Sequence, residues 1–270
     1  MRKDGKTTIL YKITVRTIFV IVVLAVWEIV SKSNILGPKS GYLLPSLEDI
    51  FTAFINNFKV GYGGISLWVY VGNSLCLLLI GLGIGILSAF ILSGISAINY
   101  TFYVIYNFVV SVCDLLPGVA LLPVIIIIFG VSRNVIIFLI IHAVIWPMSR
   151  SIMDGFMAVP EIYVEAGKNI GLFGTRLLWG IYLPASISYI VSGLKVGWAR
   201  AWRGLISAEM IFGIASCPGI GLFINQMRTN LNNAEMYATL IVIMIIGIIV
   251  QYGILSPIEK CTVKRWGMSR

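Results

Sequence analysis

The chain has 270 residues, of which 59% are hydrophobic and only 11% charged. A soluble domain carries about 25% charged residues, so this composition lacks the polar surface to cover a core, and several apolar runs reach or approach the roughly 20 residues that cross a hydrocarbon layer. The formal charge of +9 would suit nucleic acid in a soluble protein, but no soluble domain is visible to carry such a surface, and the bases flank apolar runs instead, as in membrane helices.

In chain order, Arg2, Lys3, Lys6, Lys12 and Arg16 lead into a first span over about 14–30. It continues without a small-x-small cleavage site, so an uncleaved helix is expected rather than a signal peptide. A polar stretch over 31–66 follows, with Gly37-Pro38 and Leu44-Pro45-Ser46. The second span is expected at about 67–92, the third at about 102–129 and interrupted by Pro117 and Pro123, and the fourth at about 135–152. After a polar segment at 154–184, the fifth and sixth spans fall at about 185–211 and 236–255.

With the N-terminus inside, twelve Lys and Arg face the cytoplasm, including Arg150, and five face outward. The positive-inside rule then puts both termini and 154–184 in the cytoplasm. The chain reads as residues 1–13 inside, one membrane domain over 14–256, and a cytoplasmic tail over 257–270 of a multi-pass cell-membrane protein in contact with lipid. Cys76, Cys113, Cys217 and Cys261 are scattered, with neither disulfide nor metal spacing. Gly81/Gly85 and Gly193/Gly197 let backbones approach closely, either between subunits or within one bundle.

The segment 154–184 reads as two short helices. Pro160 suits a first helical position, and Glu161 suits the positive end of the helix dipole. Ile162, Ala166 and Ile170 form one apolar stripe, and Gly171 can end the helix with positive φ. A second stretch over 175–182 leads to Pro184. On these grounds a linker lying on the bundle and a docking element fit equally.

The spacing adds a resemblance. Glu165-Ala166-Gly167, then Gly171, then Ile181-Tyr182-Leu183-Pro184 resembles the signature loop of binding-protein-dependent ABC importer permeases. That loop reads Glu-Ala-Ala, a Gly four residues on, and Ile-x-Leu-Pro opening ten after the Gly; Gly167 departs from the second Ala. Leu44-Pro45-Ser46, Leu122-Pro123 through Phe129-Gly130, Ala201-Trp202-Arg203, Ser207-Ala208-Glu209-Met210, Gly219-Ile220-Gly221, and Ile258-Glu259 with Arg265-Trp266 look like the sulfonate/nitrate/taurine subgroup.

The resemblance implies an all-α integral membrane protein with six transmembrane helices in the type I ABC importer permease fold. It further implies that Glu165, Ala166, Gly167, Gly171, Ile181, Leu183 and Pro184 couple to ABC ATPase subunits at the cytoplasmic face. A second permease subunit, identical or a paralogue, and an external substrate-binding protein complete the implied assembly. ATP and Mg belong to the partner ATPase, and none is bound by this chain. Independently, no G-x-x-x-x-G-K-[ST] phosphate loop occurs, and the chain is expected to be a transport subunit rather than an enzyme.

Ionisable groups inside spans cost at least about 2.5–3.5 kcal/mol and therefore face protein or water. At about 100° per residue, Lys195, Arg200, Arg203 and Glu209 fall on one half of the fifth span. They read either as a cationic pathway lining for an anion (sulfonate, nitrate, bicarbonate or taurine-like, or a vitamin precursor) or as internal pairs such as Glu209 with Arg203. Asp114 and His142 read as hydrogen-bonded structural groups or as gate or relay residues. They leave an ion-gradient-driven carrier or channel as the alternative, which the loop at 165–184 disfavours.

Overall fold

In the computed structural model, residues 5–33, 35, 37 and 40–263 are described. Arg2, Lys3, Pro38, Lys39, Lys264, Arg265, Trp266 and Arg270, which carry part of the charge tally and of the resemblance, lie outside the described residues, as does the side chain of Lys6.

The described chain is helical, with long helices where apolar runs exceed a membrane's thickness. In order these are α1 (Gly5–Lys32), α2 (Ser40–Leu43), α3 (Leu47–Lys59), α4 (Leu67–Ile98), α5 (Tyr100–Cys113), α6 (Leu122–Phe129), α7 (Arg133–Met157), α8 (Glu161–Asn169), α9 (Thr175–Leu177), α10 (Leu183–Ala185), α11 (Ile187–Phe212), α12 (Ile220–Thr229), α13 (Asn233–Ile248) and α14 (Ser256–Val263). Tyr11–Lys32, Leu67–Ile98, Arg133–Met157 and Asn233–Thr262 are each long and apolar enough to cross a membrane. Two bent pairs raise the number to six when each is taken as one span.

The first bent pair shows the interruption expected in the third span at Pro117 and gives its size. Tyr100–Cys113 and Gly118–Phe129 meet at 88°, so 102–129 is not one helix. Proline explains the break: Leu116 precedes Pro117 and is thereby biased away from the helical region. Pro123 sits in the first turn of α6, where its missing N–H is tolerated. The second pair, Thr175–Ala185 and Ile187–Phe212, bends by 74°; Pro184 lies beside that corner.

Two compact units are present. One comprises Met1–Ser66 and Gln226–Ile241. In it, Pro45 O accepts the Trp27 indole N–H at 3.0 Å, and Ser46 forms a capping box with Asp49 that starts α3. Glu28 accepts Leu47 N–H at 3.0 Å and pairs with Lys32 at 2.6 Å. Ile50, Ala53 and Ala238 form a small core that Trp27 and Tyr237 flank edge to face.

The other unit comprises Leu67–Asn225 and Val242–Arg270, and its centre is α7. Against α4, a Cβ added at Gly81 would lie 2.6 Å from Cβ of Ile140, and one at Gly85 would lie 3.0 Å from Cβ of Val144. Against α11, a Cβ at Gly193 would lie 2.7 Å from Cβ of Ser151, and one at Gly197 would lie 3.5 Å from Cγ1 of Val144. Both Gly-xxx-Gly pairs thus serve packing within this chain, seating α7 between α4 and α11. Leu122 and Ile125 of α6 complete the core with Val135, Leu139 and Ala208.

This packing makes a contrast between neighbours on α4. Gly81→Ala is expected to destabilise the detergent-solubilised protein by about 1–3 kcal/mol, as overpacking does, whereas Gly83→Ala, with open space around the added carbon, leaves the melting temperature unchanged or raised. Equal melting temperatures for the two variants would contradict the α4–α7 contact.

Candidate translocation cleft and coupling segment

The break after α5 leaves a cleft of about 250 Å³ beside α7 and α11. Asp114, His142, Arg200 and Arg203 line it, with Trp146 and the turn at 115–119. The structure therefore brings together four of the six intramembrane groups singled out by sequence. Asp114 caps α5 and pairs with Arg200 of α11 and, at 3.6 Å, with Arg150 of α7. His142 is buried, with its ring edge-on to Trp146 at 5.9 Å and Nδ1 facing Gly118. Arg203 is exposed, and its Nε donates to Ala199 O of its own helix at 3.0 Å. No carboxylate pairs with Arg203 among the described residues.

Lys195 and Glu209 stand apart from this cleft. Lys195 pairs with Glu259, tying α11 to α14. Glu209 is 1% exposed and does not meet Arg203. Its carboxylate accepts Ser74 Oγ–H at 2.8 Å and Gly221 N–H at 2.9 Å, while Ser74 Oγ accepts Ile220 N–H at 2.8 Å. The carboxylate thus lies at the N-terminus of α12, where the helix dipole favours negative charge. Gly219 and Gly221 leave room for it: a Cβ on Gly221 would lie 2.6 Å from Cβ of Glu209. Two motifs of the subgroup resemblance are in this way one structural lock.

Sequence reasoning missed Ser74, because a serine in an apolar helix carries no signal for a partner 135 positions away. Nor did it anticipate that Arg150, counted among the cytoplasmic bases, reaches Asp114 from within α7.

The candidate coupling segment is built from α8 to α10. Pro160 is the N-cap of α8 rather than its first helical residue, with extended ψ of 136°. Glu161 opens the helix, and Gly171 follows it at φ 83°. Val164 and Gly167 face inward; a Cβ on Gly167 would lie 2.9 Å from Leu177 and 3.1 Å from Ile181. The Gly departure thus lets the second half of the segment press onto α8. Ile162 and Ile170 are left 69% and 77% exposed, and Ala166 is exposed between them.

Over residues 81–256 the chain matches the family described as "Binding-protein-dependent transport system inner membrane component". The chain belongs to that family. This permease is 24% identical over 242 residues to the taurine transport system permease protein TauC of Escherichia coli (strain K12), covering 89% of this chain and 86% of that one. It is 24% identical over 257 residues to the nitrate import permease protein NrtB of Synechocystis sp. (92% and 90%), and 26% identical over 110 residues to the bicarbonate transport system permease protein CmpB of Synechococcus elongatus (41% and 39%). It is a multi-pass membrane transport subunit of an ABC importer, forming the path while a separate subunit carries the ATPase.

The Glu209 lock predicts an ordered series in the permease. Glu209→Leu strands Ser74 and the Gly221 N–H and is expected to cost about 1–3 kcal/mol or more. Glu209→Gln, which keeps an acceptor oxygen, costs less. Thermal unfolding of the purified variants checks the order; a leucine variant as stable as the wild type would refute the lock.

Proposed function

We propose that this permease conducts a small anion, delivered by an external binding protein, through the cleft lined by Asp114, His142, Arg200 and Arg203. The observation that carries this reading is Arg203, an exposed guanidinium on a membrane-spanning helix with no acid beside it among the described residues. Such a group is costly against lipid and is accommodated where it faces water and an anionic solute. Taurine, nitrate and bicarbonate, for which relatives are named, are all small and bear an anionic group.

The drive enters at α8. Its exposed stripe of Ile162, Ala166 and Ile170 is an apolar face suited to a groove on a partner. In the proposed assembly it docks on an ABC ATPase that holds ATP and Mg, while this chain binds no cofactor of its own. Gly167, Leu177 and Ile181 make the segment a small packed unit that transmits displacement toward α11, alongside Glu165, Gly171, Leu183 and Pro184. A second permease, a copy or a paralogue, completes the path, and both termini face the cytoplasm.

In sealed vesicles holding the permease, ATPase and binding protein, uptake from a panel of small sulfonates, nitrate and bicarbonate is expected to require ATP. Arg203→Ala forgoes one charge-assisted hydrogen bond of about 1.5–3 kcal/mol and lowers uptake by about tenfold or more. Ile162→Asp or Ile170→Asp is expected to abolish co-purification of the ATPase while the permease still accumulates. Uptake that persists without ATP would replace this reading with an ion-gradient-driven carrier.

A further inference from the structure

The cleft holds more positive than negative charge, yet its one lining carboxylate occupies one of its two lining arginines. Asp114 pairs with Arg200 and lies 3.6 Å from Arg150. It caps the C-terminus of α5, just before the 88° corner of the broken span. Behind it, Leu115 is 82% exposed and Pro117 prevents the helix from continuing. The pair therefore bridges the corner of the broken span to α7 and α11 through one side chain. Arg203 lines the same cleft without an acid.

A carboxylate on a guanidinium offers the same kind of charged acceptor oxygens that a sulfonate, nitrate or bicarbonate would offer. Had the cleft only to neutralise Arg200, a carboxylate on a straight stretch of helix would do. Here the carboxylate sits on the last residue held by the α5 ladder, its N–H on Val110 O, directly before the 88° corner, so the chain beyond it can move without breaking a bond inside either helix.

The geometry points to Asp114 as a built-in stand-in for the transported anion. Resting on the reading of this cleft as the pathway, the solute's anionic group first meets Arg203 and then takes Asp114's place on Arg200, freeing the corner between α5 and the turn at 118–121. Asp114 is thus a positioning residue: it keeps the arginine desolvation-neutral when empty and sets a threshold that only an anion able to replace a carboxylate can cross. A neutral solute gains nothing from the exchange and leaves the pair closed.

An internal competitor lowers apparent affinity by the fraction of time the site is free. If Asp114 holds Arg200 for roughly nine-tenths of the time, its removal tightens direct binding about tenfold. The test uses the full-length permease with its ATPase in lipid nanodiscs, without binding protein, and equilibrium binding of radiolabelled taurine and of nitrate as two separate probes. Asp114→Asn is expected to bind at least one probe about tenfold more tightly than the wild type, Asp114→Glu to match the wild type, and Asp114→Asn with Arg200→Gln to lose the gain. Asp114→Ser gives the same comparison should the asparagine variant not accumulate.

Cys113 lines the cleft and separates the two possible failures. In a background with Cys76, Cys217 and Cys261 changed to Ala, labelling of Cys113 by a small anionic thiosulfonate reports whether the cleft holds water. Unlabelled Cys113 overturns the pathway reading and this inference with it. Labelled Cys113 with no gain in affinity for either probe on removing the Asp114 carboxylate overturns this inference alone.

Discussion

One helix, α7, is held between two glycine-faced neighbours, and the placement of the site depends on that contact. Val144 is met both by Gly85 of α4 and by Gly197 of α11. Lipid tails are as apolar as side chains, so membrane helices associate through close packing and polar contacts rather than hydrophobic burial. Glycines supply the close packing by removing the side chains that would keep backbones apart. Because α4 and α11 are fixed against α7, His142 on α7 and Arg200 and Arg203 on α11 fall on a common cleft, and Arg150 of α7 reaches the Asp114 that lines it.

The intramembrane charges then divide by environment. Lys195 is spent on Glu259, and Glu209 on Ser74 and the amides opening α12. Asp114 meets Arg200 and Arg150 at the proline break. What is left is a net positive cleft with Arg203 at its wall. A structural use for some of these groups and a solute-facing use for others are therefore compatible, because burial and partner differ from residue to residue.

Much of the fold was legible because period, length and proline act locally. The apolar runs gave the spans, Gly171 the end of a helix, and Pro117 the interruption, whereas the helix that Ser46 caps lay unread within a polar stretch. The size of the corner at Pro117 was not legible, since a proline kink and a near right angle share one sequence. Nor was the destination of Glu209: helical angles put it on the same half of the helix as Arg203, but six residues on is about 9 Å along the axis, and Ser74 lies on another helix. The Gly-xxx-Gly pairs signalled close approach without naming what approached.

By itself, then, the sequence determined the membrane class, the approximate positions of the spans and, through the loop from Glu165 to Pro184, the family to which the chain belongs. These follow from composition, periodicity and spacing, which are properties of neighbours along the chain. Only the tertiary structure decided that the glycine pairs pack inward on α7, that Glu209 locks α12, and that Asp114 meets Arg200 in a cleft. Each of those joins residues from different helices, and pairing across helices depends on how backbones cross, which no local pattern encodes.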